Sequence, residues 1–460
     1  MKKRICIIPF LAVLLLSILL SCQSTEEMVD SKRVEVNETE SQLQKMVEHS
    51  DLFSSNVTGF VLYDPEADST LYSLNSHKYF TPASNTKLFT FYAGLKTLPD
   101  TLPALEYVIN GDSLIFWGTG DPSFLHREYG SDSVYNFLKN SPQKLFYSDS
   151  HFYDEPLGAG WSWDDYNSYY SAEKSPFPIY GNMVEFTIEN IEFNRIKQVD
   201  GELLIEPEFF QHKIEEEVGD DRQILVRNRT GNQFEYFPKA DTTSYEYLKP
   251  FHYTPELITE MLTDTLGKDV DYVEIEKPSD TNLLYSISAD TVYKRMLQPS
   301  DNLIAEQLLL MIASERGEPM NTGDVIGQIK ENYLADLPDE PQWADGSGLS
   351  RYNMFTPRSI VRLLQKIDEE FENDEQMYEL FPAGGESGTI ESWYAHRDGG
   401  EPYLYAKTGT LMNNHCLSGY IVTNSGRNLI FSFMNNHYVT SSSVVKEEME
   451  KVLWYIYSNY

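Results

Sequence analysis

Alternation of hydrophobic and polar residues predicts strands near both ends of the chain, and longer apolar runs predict helices between them. Residues 57–74 (VTGFVLYDPEADSTLYSL) predict two strands around an acidic Asp-Pro turn. Residues 88–98 (LFTFYAGLKTL) and 303–313 (LIAEQLLLMIA) have the length and spacing of helices. The pattern indicates a mixed α/β (α+β) fold class.

The C-terminal part returns to strands and ends in a helix. Residues 416–423 and 428–435 predict two strands joined by a short Ser-Gly-Arg turn. Residues 441–457 (SSSVVKEEMEKVLWYIY) predict an amphipathic helix. Its spacing places four apolar residues on one side: Val445, Met449, Val452 and Ile456.

Three short motifs occur in one order along the chain. They are Ser84-x-x-Lys87, Ser300-x-Asn302 and Lys407 followed by Thr-Gly. Together they describe an acyl-transfer site in which a serine is the nucleophile and lysines are the bases. Each motif alone is weak. Three further Ser-x-x-Lys matches occur by chance, at Ser141–Lys144, Ser171–Lys174 and Ser443–Lys446.

Ser84 follows Pro82 and precedes an apolar helical run, so it is predicted in the first turn of a helix. Lys87 lies three residues later on the same helix face, where its amine can reach the serine hydroxyl. A lysine acts as a base only if its pKa falls, and burial or a second cation such as Lys407 would lower it. The alternative for an isolated match is a capping serine followed by a solvated lysine.

The second and third motifs also have alternatives. Ser300 is a plausible N-cap of the following helix; the functional hypothesis places it in a proton relay to the leaving group. Asn302 would hydrogen-bond the substrate's peptide amide. Lys407 follows a strand-like run, and the missing side chain of Gly409 would let a substrate backbone lie against that strand. Lys407 and the hydroxyls of Thr408 and Thr410 would bind a substrate carboxylate.

The motifs and their surroundings resemble the class C low-molecular-mass penicillin-binding proteins, the D-alanyl-D-alanine carboxypeptidase/endopeptidase family. The likeness covers roughly residues 55–440. It rests on these blocks: Pro82-Ala83-Ser84 with Lys87-Leu88, Ser300-Asp-Asn-x-x-Ala305-Glu306, Asp345-Gly-Ser-Gly-Leu-Ser350-Arg351 with Asn353 and Thr356-Pro357, Gly384-Gly385 with Gly388-Thr389, Lys407-Thr-Gly-Thr410, and Gly160-Trp161 with Trp163.

The resemblance implies a serine β-lactamase/DD-peptidase-like catalytic domain, in which a helical cluster packs on an antiparallel sheet. It implies that Ser84 attacks the penultimate D-alanine, that Lys87 accepts its proton, and that Ser300 and Lys407 protonate the leaving group. Backbone N–H groups of Ser84 and Thr410 would form the oxyanion hole. The chain departs from the family where an arginine often follows Gly-Thr-Leu. It also departs at His415 and Cys416, where small or apolar residues are commoner.

The long separation of Ser84 from Ser300 implies an insertion. Residues 105–282 are rich in aromatic residues and short alternating runs, which predicts β-rich subdomains. We therefore assign residues 51–104 and 283–460 to the catalytic domain.

The N-terminus resembles a lipoprotein signal. Residues 1–4 are basic, residues 5–20 are apolar, and Ser21-Cys22 follows Leu-Leu. We expect residues 1–21 to be a signal peptide, Cys22 to be lipidated, and residues 22–50 to form a polar tether. A simple signal peptide or an uncleaved anchor are the alternatives. The expected location is the periplasmic face of a bacterial membrane, as an outer-membrane lipoprotein.

Composition excludes some partners. The chain has 71 Asp and Glu against 36 Lys and Arg, so its net charge of −35 disfavours nucleic acid. The expected partners are peptidoglycan stem peptides and β-lactams, with no metal and no cofactor. A β-lactamase or esterase on the same fold and a non-catalytic wall-binding protein are the alternative functions.

Overall fold

The computed structural model describes residues 42–130, 132–192, 199–216, 224–237 and 245–460. The predicted signal peptide, Cys22 and most of the predicted tether lie outside these residues.

Sixteen strands lie in this described part. They are β1 (Val57–Asp64), β2 (Ser69–Leu74), β3 (Thr101–Asn110), β4 (Ser113–Gly118), β5 (Lys144–Tyr147), β6 (Met183–Glu192), β7 (Val199–Glu206), β8 (Ile214–Glu216), β9 (Leu225–Arg227), β10 (Phe234–Tyr236), β11 (Tyr245–Pro250), β12 (Val270–Tyr272), β13 (Asn282–Ser288), β14 (Leu404–Leu411), β15 (Asn414–Val422) and β16 (Asn428–Asn436).

Eleven α-helices lie in the same described part. They are α1 (42–48), α2 (Asp51–Ser55), α3 (Lys87–Thr97), α4 (Ser133–Asn140), α5 (Pro255–Leu266), α6 (Ala289–Leu297), α7 (Asn302–Glu315), α8 (Thr322–Tyr333), α9 (Pro357–Asp368), α10 (Asp374–Tyr378) and α11 (Ser442–Asn459).

A five-stranded antiparallel sheet joins the two ends of the chain. Its strand order is β14-β15-β16-β1-β2, so strands from the C-terminal part pair directly with the first strand of the domain. One face packs on α1, α2 and α11, and the four apolar residues predicted on one side of α11 are all buried there. Leu43 and Val47 of α1 are buried in the same cluster, so α1 packs on the sheet although residues 42–48 fall within the predicted tether.

The other face of this sheet covers a helical cluster built from α3, α6, α7, α8 and α9. Helix α7 is apolar almost all round, as its sequence predicted, and it is buried from Leu303 to Ser314. Helix α9 begins after Thr356, whose hydroxyl accepts a hydrogen bond from the Ser359 N–H, with Pro357 in the first turn. A helical cluster on an antiparallel sheet is the predicted catalytic architecture.

The middle of the chain forms further sheets with their own core. One has five strands in the order β12-β5-β4-β3-β13, and two three-stranded sheets have the orders β11-β6-β7 and β8-β10-β9. A separate hydrophobic cluster lies between these sheets and α4 and α5. The predicted limits of the insertion, residues 105 and 282, fall inside β3 and at the first residue of β13. The domain division itself stays a prediction.

Candidate active site

Ser84 lies in a short 3-10 helix, Ala83–Thr86, that runs directly into α3. From Pro82 to Gly94 every residue is buried except Ser84, which is partly exposed. Ala83 has a φ of 49°, in the left-handed region that costs energy for a residue with a side chain. The chain therefore turns sharply just before the serine and presents its hydroxyl at the surface of an otherwise buried helix.

Lys87 is fully buried and its amine contacts three oxygen atoms. Nζ lies 3.2 Å from Ser84 Oγ, 2.6 Å from Asn302 Oδ1 and 2.6 Å from the carbonyl oxygen of Ser347. The structure thus brings together the first two motifs, which are far apart in sequence. A neutral amine in this position can accept the Ser84 proton, which is the chemistry that a serine nucleophile needs.

Burial gives Lys87 the pKa of a base. Removal of the ammonium from water lowers the pKa of Lys87 from 10.5 to about 8, although the carboxylates of Asp345, Glu306 and Asp301 oppose the shift. Lys407 is also fully buried, and burial together with the charge of Lys87 holds the pKa of Lys407 well below its usual range.

Lys407 joins the third motif to the second. Its Nζ donates to Ser300 Oγ at 2.9 Å and to the carbonyl oxygen of Thr408 at 2.9 Å. The prediction that Ser300 caps α7 is wrong. Asp301 is the N-cap, because its carboxylate accepts a hydrogen bond from the Ile304 N–H at 3.1 Å. Ser300 itself has a φ of 68°, and its hydroxyl is free to meet Lys407.

Strand β14 is held against the nucleophile by Asn85. Asn85 Nδ2 donates to the carbonyl oxygen of Lys407 at 2.7 Å, and Asn85 Oδ1 accepts from Ser418 Oγ at 2.8 Å. A Cβ atom at Gly409 would lie 2.2 Å from the Pro82 carbonyl oxygen, so only glycine allows this approach. The site thus needs glycine for its own assembly, besides the predicted access for a substrate backbone.

The two threonines of β14 differ in exposure. Thr408 is buried, and its Oγ1 lies 2.7 Å from Thr389 Oγ1 in the Gly388-Thr389 block. Thr410 is exposed at the edge of the sheet, where β14 has only β15 as a neighbour in the ladder. These hydroxyls and Lys407 lie along one strand, as the carboxylate-binding hypothesis requires.

The loop of residues 345–351, which the sequence indicated only through the family resemblance, supports Lys87. Glu306 of α7 accepts hydrogen bonds from the N–H groups of Gly346 and Ser347, at 3.1 and 2.8 Å. Asp345 accepts from the N–H groups of Gly348 and Ser350, at 2.8 and 2.6 Å. These buried carboxylates fix the loop so that the Ser347 carbonyl meets the lysine amine.

Burial and the neighbouring Asp345 raise the pKa of Glu306 to about 7. The sequence identified Glu306 and residues 345–351 only as features of the family and predicted no role for them. The presence of a glutamate inside an apolar helical run was the feature that could have indicated a buried, functional carboxylate.

The middle of the chain also reaches the site. Asn302 Nδ2 donates to the carbonyl oxygen of Tyr170 at 2.8 Å, which ties the second motif to residues 163–171. The neighbouring chance match is unsuited to catalysis, because Ser171 is buried and Lys174 forms an ion pair of 2.8 Å with Asp154.

Two findings concern what the described residues lack. No group of three or more His, Cys, Asp and Glu side chains among them could hold a metal ion. No helix in the described ranges is long and apolar enough to cross a membrane.

The fold and the three motifs together define the class of penicillin-binding serine enzymes. Residues 39–455 match the model of the D-Ala-D-Ala carboxypeptidase 3 (S13) family. The chain belongs to this family and is a serine-type D-Ala-D-Ala carboxypeptidase, which confirms the resemblance found in the sequence.

Individual relatives agree. The chain is 25% identical over 427 residues to D-alanyl-D-alanine carboxypeptidase DacB of Haemophilus influenzae, covering 84% of this chain and 86% of that protein. The crystal structure of penicillin-binding protein 4 (dacB) from the same organism superposes with a TM-score of 0.71 at 20% identity, over 91% of this chain and 99% of the other. A complex of that protein with a β-lactam gives a TM-score of 0.64 at 19% identity, over 91% and 98%. The predicted fold class is confirmed.

The pKa of Lys87 predicts how acylation depends on pH. Only the neutral amine accepts a proton, so the rate constant for acylation by a β-lactam is expected to rise with pH and level off above about 8. At pH 6 it should be about a hundredth of its plateau value. Stopped-flow acylation between pH 6 and 9.5 measures this profile. A rate that still rises tenfold per unit above pH 9 would show that Lys87 keeps an ordinary pKa.

Proposed function

We propose that Ser84 is the nucleophile of the carboxypeptidase reaction and that Lys87 is its base. Ser84 Oγ attacks the carbonyl carbon of the penultimate D-alanine while its proton passes to Lys87 Nζ. The observation that carries this proposal is the position of Lys87 Nζ, within hydrogen-bond distance of both Ser84 Oγ and Asn302 Oδ1.

The Lys407–Ser300 pair supports the second proton transfer. When the C–N bond to the terminal D-alanine breaks, the leaving nitrogen takes a proton from the Ser300 hydroxyl, and Lys407 supplies the replacement. Their 2.9 Å contact and the low pKa of Lys407 suit this exchange. Water then adds to the ester carbonyl and passes a proton to Lys407. The C–O bond to Ser84 breaks as Lys87 returns its proton to Ser84 Oγ, and the shortened stem peptide departs as a carboxylate, with one proton released to solvent.

Recognition is assigned to β14 and Asn302. The substrate backbone would extend along the exposed edge of β14 past Gly409, with its terminal carboxylate on Lys407, Thr408 and Thr410. Asn302 would hydrogen-bond the peptide amide. The N–H groups of Ser84 and Thr410 would stabilise the oxyanion. The β-lactam complex of the Haemophilus protein supports the proposal that β-lactams acylate the same serine here.

The substrate is proposed to be the stem peptide of peptidoglycan, with residues 105–282 as inserted subdomains beside the cleft. Incubation with purified muropeptides tests this. Loss of one D-alanine from monomeric muropeptides would establish carboxypeptidase activity, and splitting of dimers would establish endopeptidase activity. If neither product forms while penicillin still acylates Ser84, the peptidoglycan substrate is wrong and the nucleophile is right.

We also propose that the enzyme is exported and anchored through lipid on Cys22. The support is the basic start, the apolar run and Ser21-Cys22 that follows it. Acyl chains would hold the protein to the outer membrane by burial of methylene groups, at about 0.8 kcal/mol each.

Replacement of Cys22 by serine is expected to move the protein out of the membrane fraction or to leave an unprocessed precursor. Incorporation of a radiolabelled fatty acid and the mature N-terminus report the outcome. Cys6→Ala is the matched control, since Cys6 lies within the apolar run and should leave processing unchanged. A wild-type protein without label and with a different N-terminus would contradict lipidation and leave export standing.

A further inference from the structure

A buried histidine lies directly behind the exposed end of β14. His415 of β15 pairs with Thr410 in the antiparallel ladder, and its Nδ1 lies 2.9 Å from Thr410 Oγ1. His415 is fully buried, whereas Thr410 is exposed. The Thr410 hydroxyl therefore touches the imidazole on one side and can meet a ligand on the other.

The row of polar side chains continues across the sheet. Asn435 of β16 pairs with His415, and Thr58 of β1 pairs with Asn435. Directly paired residues project from the same face of a sheet, so Thr58, Asn435, His415 and Thr410 form one row over four adjacent strands. All but Thr410 are buried. Burial of three polar side chains in one row is costly unless they hydrogen-bond to one another.

One nitrogen in the row determines the tautomer of His415. Thr58 Oγ1 lies 2.9 Å from Asn435 Oδ1 and 3.0 Å from the carbonyl oxygen of Phe53. Asn435 Nδ2 and His415 Nε2 are both buried without a hydrogen-bond partner among the described residues. Buried N–H groups without an acceptor are rarer in native structures than buried acceptors without a donor. His415 Nε2 is therefore the unprotonated nitrogen, since a proton on it would leave a buried N–H group with no acceptor among the described residues.

A neutral imidazole carries one proton, which then lies on Nδ1. Burial, with a smaller contribution from Lys446, lowers the pKa of His415 to about 3, so the ring is neutral at physiological pH. The Nδ1–H group donates to Thr410 Oγ1. The hydroxyl proton of Thr410 is then directed away from the protein, toward the exposed side of β14.

We propose that His415 is a positioning residue that holds the Thr410 hydroxyl as a donor to the terminal carboxylate of the substrate. This inference rests on the proposed function, which places that carboxylate on β14. The opposite proton arrangement would make Thr410 donate to His415 and present only lone pairs to a carboxylate, which repel it.

Kinetics with two matched thioesters test the role. Both carry the same acyl group, and only one has a leaving group that ends in a carboxylate. His415→Leu is expected to lower kcat/KM for the carboxylate substrate about tenfold relative to the uncharged one, the scale of one hydrogen bond to a charged group. His415→Asn keeps a donor near the position of Nδ1 and should stay within about threefold of wild type. Equal losses on both substrates in His415→Leu would show a merely structural role.

The tautomer provides a second, independent readout. Nitrogen NMR of the protein labelled with ¹⁵N-histidine, with His415→Asn to assign the signal, is expected to show a protonated Nδ1 and a bare Nε2. A protonated Nε2 would overturn the proposal. In a Thr410→Val background, His415→Leu should no longer change the preference for the carboxylate substrate. A further loss there would mean that His415 acts by another route.

Failure of this inference is distinguishable from failure of the proposed function. If wild type releases D-alanine and is acylated at Ser84, the proposed function stands whatever His415 does. If wild type does neither, the proposed function is wrong, and the inference about His415 is then wrong as well.

Discussion

Replacement of Ser84 by alanine is expected to abolish covalent labelling by a fluorescent penicillin and to remove D-alanine release from stem peptides, while the protein stays folded. Ser84 is partly exposed at the start of α3, and its hydroxyl makes a 3.2 Å hydrogen bond with Lys87. Its removal takes away the atom that forms the ester and leaves the surrounding packing unchanged. Gel fluorescence and mass spectrometry of the penicillin-treated peptide measure the loss, and circular dichroism checks the fold.

The chain offers matched controls for this variant. Ser171 and Ser443 begin two of the other Ser-x-x-Lys matches. Like Ser84, each lies within a helix: Ser171 in a 3-10 helix and Ser443 in α11. Ser171→Ala and Ser443→Ala should be labelled like wild type. Labelling that persists in Ser84→Ala and disappears in one of these two would transfer the nucleophile to that serine.

Sequence patterns anticipated the parts of this protein that depend on local order. The four-residue spacing in α11 correctly selected the buried side of that helix, because helix periodicity needs only neighbouring residues. The Pro82-Ala83-Ser84 start and the apolar run after it placed the serine at a helix entrance. The motif order pointed to Ser84, Lys87, Ser300, Asn302 and Lys407. Short contacts join Ser84 to Lys87, Lys87 to Asn302, and Lys407 to Ser300.

Other features depend on contacts between distant segments and could not be read locally. Serine and aspartate are both favourable N-cap residues, so local rules allowed either Ser300 or Asp301 to cap α7. Only the contact with Lys407, which is distant in sequence, explains why the Ser300 hydroxyl does not cap the helix. The acceptor that Ser347 provides for Lys87 is a backbone carbonyl, which carries no sequence signal of its own. Likewise, the row from Thr58 to Thr410 exists only through strand register.

Burial and neighbouring charges act differently on the two lysines of the proposed site. The chain is strongly acidic, yet Lys87 and Lys407 of the proposed site are fully buried, where removal from water disfavours their charge. The carboxylates of Asp345, Glu306 and Asp301 oppose the fall in the pKa of Lys87. The charge of Lys87, by contrast, lowers the pKa of Lys407 further. Two cations in one buried site repel each other, so a proton gained by Lys87 favours its release from Lys407. This direction matches the order of the proposed reaction, in which Lys87 accepts first and Lys407 donates second.

Replacement of Lys87 by methionine is expected to slow acylation by penicillin at least ~100-fold, the usual scale for loss of a positioned general base. Methionine has nearly the length of lysine and fills the buried space without an amine. Lys87→Arg distinguishes a base from a mere charge, because a guanidinium keeps its proton at any accessible pH. Both variants should therefore be slow, and neither should show the rise of the rate up to pH 8. Stopped-flow acylation with a chromogenic β-lactam measures the rate constants.

Lys174→Met is the matched control, since Lys174 is also a buried lysine of a Ser-x-x-Lys match but pairs with Asp154. Its loss should lower the melting temperature, because it leaves the Asp154 carboxylate without its cationic partner, and should spare acylation in the folded protein. An arginine variant that acylates at the wild-type rate would show that Lys87 contributes only its charge. Another group would then have to accept the Ser84 proton.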